Sequence, residues 1–314
     1  MSATEDFLLL SLIPLGDKYR ERVAATCAAV FPAGTGEADA MISRHGHRAR
    51  GVLTNGVIGL TSTQLDRMAR LEIVCILGAG YEAVDLEAIR RRCIRICHGP
   101  GTNTEAVADH ALGLLLSLTR AIPRLDQKIR QGGWKDEEER LSILAGKNLG
   151  IFGLGRIGRA IAVRAKGFGP IVGYASRNRR DDTELTWFPS LTELAAWSDF
   201  LVISAPGMPE TFHAVDQQVL GALGSGGYLV NVGRGSIVDT KALIAALEAR
   251  SIAGAALDVF EDEPSVPQEL RTLPNVVLTP HAAGRSPESR DAMIDLLVRN
   301  VRLHRAGRPL LTPL

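Results

Sequence analysis

The sequence has no large excess of charge and no long apolar segment. Lys and Arg total 36 against 35 for Asp and Glu, which argues against a surface built for nucleic acid or an anionic membrane. The longest apolar run, residues 111–118, is far too short to cross a bilayer. The acidic start, MSATEDF, lacks the basic residues and the cleavage site of a signal peptide. We therefore expect a cytoplasmic protein without nucleic-acid or membrane partners.

Cysteine is also scarce, because the chain has four and none of them forms a C-x-x-C pair. Three lie within or beside apolar runs, where cysteine acts as a small hydrophobic side chain. Disulfides are rare in the expected compartment. We predict that all four thiols are reduced and structural: Cys27, Cys75, Cys93 and Cys97.

Short apolar runs alternate with longer helical patterns along the whole chain. Continuous apolar runs are typical of strands buried on both faces, as in parallel sheets. The helical patterns between them indicate an α/β protein with parallel sheets, and 314 residues fit two domains better than one. The predicted strands are 7–13, 51–54, 73–77, 149–152, 171–175, 200–204, 228–232, 253–257 and 276–279.

Two breaks divide this pattern, near residues 98–101 and 284–287. The part before the first break resembles several βα units, and the part after it begins with a long apolar helix over 106–118. An acidic segment, residues 136–140, is predicted to be a solvated loop or a partner-contacting face.

A glycine-rich turn, Gly153-x-Gly155-x-x-Gly158, lies between a predicted strand and a predicted helix. The first glycine permits a tight turn, the second lets a pyrophosphate approach, and the third lets the helix pack against the strand. A glycine-rich turn without a ligand is the alternative, but the strand–turn–helix–strand context favours dinucleotide binding. The residues between the glycines belong to the same predicted site: Leu154, Arg156 and Ile157.

The end of the next strand, in the stretch YASRNRR, lacks the expected acid. About twenty residues after the glycines, an NAD site usually has Asp or Glu on the ribose. Here Ser176 and Arg177 stand at that position, followed by Arg179 and Arg180. Arginine suits the 2′-phosphate of NADP, so we predict NADP over NAD. A chance basic run in a solvated loop is the alternative.

Polar residues follow the later strands, at the edge where ligands bind in open parallel sheets. Arg234, Asp258 and His281 come after successive strands, with Glu263 close behind Asp258. Histidine suits protonation of the alkoxide formed by hydride attack, a carboxylate orients it, and arginine holds a substrate carboxylate. Alone, each residue could be an ordinary loop or surface residue. Other rim positions predicted to contact the cofactor are Pro206, Val232, Gly233 and Gly284.

Several blocks together resemble the D-isomer-specific 2-hydroxyacid dehydrogenases. They are GIFGLGRIG at 150–158, NTEAVADHALGLLL at 103–116, NVGRG at 231–235, DVFEDEP at 258–264 and TPHAAG at 279–284. These blocks are distributed along nearly the whole chain, and their order and spacing make the resemblance specific. With Ser176 and Arg177, the chain looks most like the NADPH-dependent glyoxylate and hydroxypyruvate reductases of that family.

The resemblance implies roles for individual residues. Arg234 would bind the carboxylate and carbonyl of a 2-keto acid, and His281 would be the general acid. Glu263 would pair with His281, and Asp258 would orient the nicotinamide carboxamide. A substrate-domain loop would bind the substrate carboxylate through backbone N–H groups, with Asn103 near the hinge. That loop is Leu77, Gly78, Ala79 and Gly80.

The resemblance also implies an architecture. A Rossmann domain, residues 102–285, would be inserted in a flavodoxin-like substrate domain of residues 1–101 and 286–314, and the protein would be a homodimer. The Arg285-Ser286-Pro287 stretch departs from the familiar family pattern, which affects the expected substrate. A bulkier 2-keto acid such as phenylpyruvate is one alternative, and a nucleotide-sensing binding protein on the same fold is another.

Overall fold

The computed structural model describes residues 7–135 and 141–314, so the acidic segment 136–140 lies outside the described residues. The chain forms two compact units. The first extends to Asn103 and resumes over Arg285–Leu314, and the second is Thr104–Gly284.

The first unit is a five-stranded parallel sheet in the order β2-β1-β3-β4-β5. This order is that of a flavodoxin-like doubly wound sheet. Apolar side chains cover both faces of the sheet, since both Leu9 and Leu10 are fully buried, in separate clusters. Its elements are β1 (Leu8–Ser11), α1 (Asp17–Ala24), β2 (Ala28–Val30), α2 (Ala38–His45), β3 (Ala49–Thr54), α3 (Ser62–Leu65), β4 (Ile73–Ile76), α4 (Leu86–Arg91) and β5 (Arg95–Cys97).

The second unit is a seven-stranded parallel sheet in the order β12-β11-β10-β9-β6-β7-β8. Counted from its first strand, this is the Rossmann order 3-2-1-4-5-6 with one further strand. Its elements are α5 (Thr104–Thr119), α6 (Ile122–Arg130), β6 (Asn148–Phe152), α7 (Arg156–Ala165), β7 (Ile171–Ala175), β8 (Thr186–Phe188), α8 (Leu191–Trp197), β9 (Phe200–Ile203), α9 (Gln217–Leu223), β10 (Tyr228–Asn231), α10 (Thr240–Glu248), β11 (Gly254–Leu257), α11 (Gln268–Thr272) and β12 (Val276–Leu278).

The last helix, α12 (Pro287–Arg305), returns the chain to the first unit. Ile294, Leu297 and Val301 are buried in the same core cluster as Leu9. Arg22 of α1 forms an ion pair with Asp291 of this helix, with Nη1 2.6 Å from Oδ1. The first unit is therefore built from both ends of the chain.

Each of the nine predicted strands overlaps a strand of the structure, which confirms the α/β class and the two parallel sheets. Three further strands were missed: Ala28–Val30, Arg95–Cys97 and Thr186–Phe188. The predicted helix over 106–118 lies within α5. Among the residues described, no helix has the length and hydropathy needed to span a bilayer.

Gly158 and Gly113, both helical, make a matched test of close packing in the second unit. A Cβ on Gly158 would lie 2.2 Å from Gly153 O, whereas a Cβ on the exposed Gly113 meets nothing within 4 Å. We expect Gly158→Ala to lower the free energy of unfolding by about 1–3 kcal/mol. Gly113→Ala should raise it by about 0.5–1 kcal/mol. Urea unfolding of both variants checks this, and equal stabilities would contradict it.

Candidate active site

The glycine turn joins β6 to α7 and leaves the start of that helix open. Gly153 has a φ of 98°, and its Cβ would lie 2.7 Å from the backbone of Ala205, so the position requires glycine. Gly155 is the N-cap of α7, makes no side-chain cap, and has nothing within 4 Å of a built Cβ. Unpaired N–H groups beside open space fit a pyrophosphate. Leu154 is buried beneath the turn, while Arg156 and Ile157 begin the helix.

The segment after β7 forms a compact turn at the surface. Ser176 Oγ donates to Asn178 O at 2.7 Å, so its hydroxyl proton is used within the turn. The guanidinium of Arg177 is exposed and reaches Met208 Sδ at 3.8 Å. Arg179 is exposed as well. Arg177 and Arg179 are therefore both exposed at the surface of this turn.

A buried asparagine fixes the turn that carries Arg234. Asn231 Oδ1 accepts from Gly233 N at 3.0 Å, and Asn231 Nδ2 donates to Arg234 O at 2.9 Å. Arg234 Nη1 donates to Gly233 O at 2.8 Å, and Val232 is buried within the turn. The neighbouring strand end places exposed Pro206 one residue after Ala205, whose carbonyl oxygen lies 2.7 Å from a Cβ built on Gly233. The rim residues of β9 and β10 are thus adjacent.

His281 and Glu263 form the predicted pair. His281 Nδ1 lies 2.7 Å from Glu263 Oε2, with 39% of the histidine side chain and 26% of the glutamate side chain exposed. Phe260 N donates to Glu263 Oε1 at 3.0 Å, which holds the carboxylate from its other side. A carboxylate on Nδ1 favours the tautomer protonated there. Nε2 is then the ring nitrogen available for proton transfer.

The charge state of Glu263 follows from competing effects. Burial alone would raise its pKa, but the hydrogen bonds from His281 and Phe260 N outweigh burial. The positive charge of Arg234 acts in the same direction, and the pKa of Glu263 lies below its ordinary value. Glu263 is therefore a carboxylate at neutral pH, suited to stabilising a cationic imidazole.

Asp258 is buried, with 1% of its surface exposed. Its carboxylate accepts hydrogen bonds from residues on either side of His281. Oδ1 accepts from Thr279 Oγ1 at 2.6 Å and from Ala282 N at 2.8 Å. Oδ2 accepts from Ala283 N at 2.9 Å. Gly284 follows this turn as the last residue of the second unit.

A second histidine–carboxylate pair lies on the loop that carries Glu263. His213 Nε2 lies 2.6 Å from Glu261 Oε1, and Thr240 Oγ1 donates to Glu261 Oε2 at 2.7 Å. Burial would raise the pKa of Glu261, but the hydrogen bonds from His213 and Thr240 outweigh it and lower the pKa. A Cβ on Gly235 would lie 1.9 Å from Phe260 C, so this loop packs directly on the Arg234 turn.

Five polar residues at or near this edge had no function predicted from the sequence: His110, His213, Asn231, Glu261 and Thr279. Glu261, Asn231, Thr279 and His110 lie inside the quoted family blocks, and His213 lies outside them. Asn231 binds its own turn, two and three residues along the chain. The partners of the other four residues are distant in sequence, so sequence alone did not reveal them.

The remaining predicted residues lie in the first unit. Leu77 N donates to Thr54 O at 2.8 Å directly after β4, and Gly78 has a φ of 103°. Gly78 O accepts from Gly99 N at 2.7 Å. Ala79 and Gly80 continue this loop, and Asn103 closes the N-terminal part of the unit. The first unit thus brings together the four loop residues but not the catalytic candidates, which belong to the second unit.

A Rossmann sheet with an open glycine turn, an arginine and a histidine–carboxylate pair at its carboxyl edge defines a nicotinamide-dependent oxidoreductase. Residues 112–283 match the model of the D-isomer specific 2-hydroxyacid dehydrogenase, NAD binding domain. The chain belongs to the D-isomer-specific 2-hydroxyacid dehydrogenase family, and this confirms the resemblance seen in its sequence.

Relatives within this family are reductases of 2-keto acids by name. The chain is 42% identical to glyoxylate/hydroxypyruvate reductase A of Arabidopsis thaliana over 88% of its length and 89% of that protein. It is 42% identical to the hydroxyphenylpyruvate reductase of Plectranthus scutellarioides over 84% and 85%. A solved NADPH-dependent glyoxylate/hydroxypyruvate reductase of Sinorhizobium meliloti, in complex with NADP and malonate, superposes with a TM-score of 0.90 at 38% identity, covering 99% of this chain and 97% of that one.

The stability of Glu263→Gln at two pH values should show how ionisation of Glu263 contributes to folding. Because the pKa of Glu263 is depressed on folding, its contribution is present at neutral pH and is lost as pH falls through the folded-state pKa. We expect the variant to be about 1 kcal/mol less stable at pH 7. That deficit should shrink below about pH 4.

Urea unfolding at both pH values measures the difference. Asp262→Asn, an exposed neighbour on the same loop, is the control for loss of one negative charge. A deficit for Glu263→Gln that grows in acid would contradict this account.

Proposed function

We propose that the protein reduces a small 2-keto acid of the glyoxylate or hydroxypyruvate type to the D-2-hydroxy acid, with NADPH preferred over NADH. The observation that carries the proposal is the 2.7 Å pair of His281 and Glu263 beside the Arg234 turn. A proton donor, its counter-charge and an anion-binding guanidinium are what carbonyl reduction of an acid needs. The names of the 42% identical relatives support the substrate class.

His281 is proposed as the general acid. Glu263 holds Nδ1, so the proton on Nε2 passes to the oxygen that becomes the alcohol, and Glu263 stabilises the cationic ring before transfer. Arg234 binds the substrate carboxylate and polarises the carbonyl, because a planar guanidinium matches two oxygens at once. The loop of residues 77–80 and Asn103 are proposed to bind substrate through the first unit.

The glycine turn is proposed to hold the pyrophosphate of the cofactor at the start of α7. The bound nicotinamide supplies the hydride. Arg177 is proposed to bind the 2′-phosphate, with Arg179 adding charge and Ser176 contributing if its hydroxyl turns from Asn178 O. The solved relative in complex with NADP supports NADP as the cofactor. The proposed nicotinamide-side contacts are Pro206, Val232, Gly233, Asp258 and Gly284.

The two domains are proposed to have different roles. Residues 1–101 and 286–314 form the substrate domain, and residues 102–285 form the dinucleotide-binding domain. We also propose a homodimer located in the cytoplasm. A bulkier substrate is the second candidate, because one 42% identical relative is a hydroxyphenylpyruvate reductase.

A substrate panel tests the reaction. Purified protein should oxidise NADPH, which is followed as the loss of nicotinamide absorbance. The kcat/KM should be higher with glyoxylate or hydroxypyruvate than with pyruvate or phenylpyruvate. His281→Ala should lower kcat by about two to four orders of magnitude, since it removes the proton donor, while NADPH binding persists. Higher efficiency with phenylpyruvate would favour the second candidate. No turnover with any keto acid would refute the proposal.

Arg177→Asp tests the cofactor preference. Loss of a charge-assisted hydrogen bond to phosphate should raise the KM for NADPH by about 10–100-fold. The KM for NADH and the order of preferred keto acids should not change. Arg180→Asp, with the same change of charge three residues along the chain, is the matched control. If both variants have the NADPH KM of the wild type, Arg177 does not select the cofactor.

A further inference from the structure

Three consecutive backbone amides, beginning at His281, donate hydrogen bonds to one residue. Asp258 O accepts from His281 N at 2.8 Å, and the carboxylate of Asp258 accepts from the next two amides, Ala282 N and Ala283 N, at 2.8 and 2.9 Å. Three consecutive N–H groups therefore bind Asp258. This matters because His281 has a φ of 48°, a conformation that disfavours non-glycine residues.

A second histidine, His110 of α5, approaches this turn. His110 Nε2 lies 3.0 Å from Thr279 Oγ1 and 3.4 Å from Asp258 Oδ1. Thr279 Oγ1 uses its one proton on Asp258 Oδ1, at 2.6 Å. The oxygen of Thr279 must therefore accept from His110, so the imidazole carries hydrogen on Nε2.

The carboxyl group of Asp258 is buried beside His110 and needs polar partners. A carboxylate that is 1% exposed needs compensation for its lost hydration. The donors from residues 279–283 are neutral amides and a hydroxyl. His110 adds an N–H donor from α5 to this set, through Thr279, and 27% of its side chain remains exposed to solvent.

We propose that His110 is a positioning residue for His281. Through Thr279 it anchors the buried carboxylate of Asp258, and Asp258 fixes the turn from which His281 acts. This inference rests on the proposed role of His281 as general acid. Substitution of His110 is expected to misplace the proton donor without touching the glycine turn that binds the cofactor.

Kinetics of three variants test the chain of contacts. His110→Phe keeps a ring of similar size but has no donor, and Thr279→Val removes the hydroxyl while keeping the shape. Each should lower kcat about tenfold. The KM for NADPH should change less than kcat, because Asp258 is a proposed nicotinamide contact but the glycine turn proposed to hold the pyrophosphate is unchanged. His110→Gln, whose amide nitrogen can reach the same oxygen, should retain kcat within about threefold.

The double variant tests whether the two residues act together. Because both belong to one network, His110→Phe should add almost nothing in the Thr279→Val background. Full additivity, or a His110→Gln enzyme as slow as His110→Phe, would overturn the hydrogen-bonding role. If His110→Phe fails to fold, Thr279→Val and His110→Gln still decide the question.

NMR of the protein without substrate tests the positioning of His281 independently of the proposed reaction. The ¹H–¹⁵N imidazole resonances of His281 should shift in His110→Phe and Thr279→Val, and should stay in place in His47→Phe, a control at an exposed histidine of the first unit. Normal kcat for His281→Ala would refute the general acid, while the spectra would still report the contact. Wild-type kcat and unmoved His281 resonances in His110→Phe would overturn the positioning role.

Discussion

Every strand of the second unit points the same way, and the candidate site depends on this constraint. In a parallel sheet all carboxyl ends lie along one edge, so residues that are far apart in sequence reach the same rim. The glycine turn follows β6, Arg234 follows β10, Asp258 follows β11, and His281 follows β12. No local sequence feature brings them together, because the neighbours are created by strand pairing across the sheet.

Polar side chains then hold each rim loop in place. Asn231 binds the turn of Arg234, Asp258 binds the turn of His281, and Glu261 ties the loop of Glu263 to His213. His213 and His281 both have positive φ, near 50°, which costs roughly 1–3 kcal/mol for a residue other than glycine. Hydrogen bonds to these acceptors offset that cost and hold the turns that carry the catalytic candidates.

The strands that the sequence analysis missed have a common place in the fold. The strands β2, β5 and β8 all lie at sheet edges. An edge strand has a neighbour on one side and is partly exposed, so it needs no continuous apolar run. Ala28 and Thr186 are exposed at the starts of two of them. The inner strands were predictable because burial on both faces requires uninterrupted apolar residues.

The sequence by itself determined the α/β class, the glycine turn, the absence of an acid after β7 and the identities of the rim residues. These are encoded locally, in hydrophobic runs and short motifs. Only the tertiary structure decided that Ser176 donates its hydroxyl proton to Asn178 O and that Asp258 is bound by Thr279 and two amides. Motifs specify which groups are present. Which of these groups contact each other depends on the distances that packing sets. His110 reaches Thr279 because α5 packs in the same core as β6 and β11.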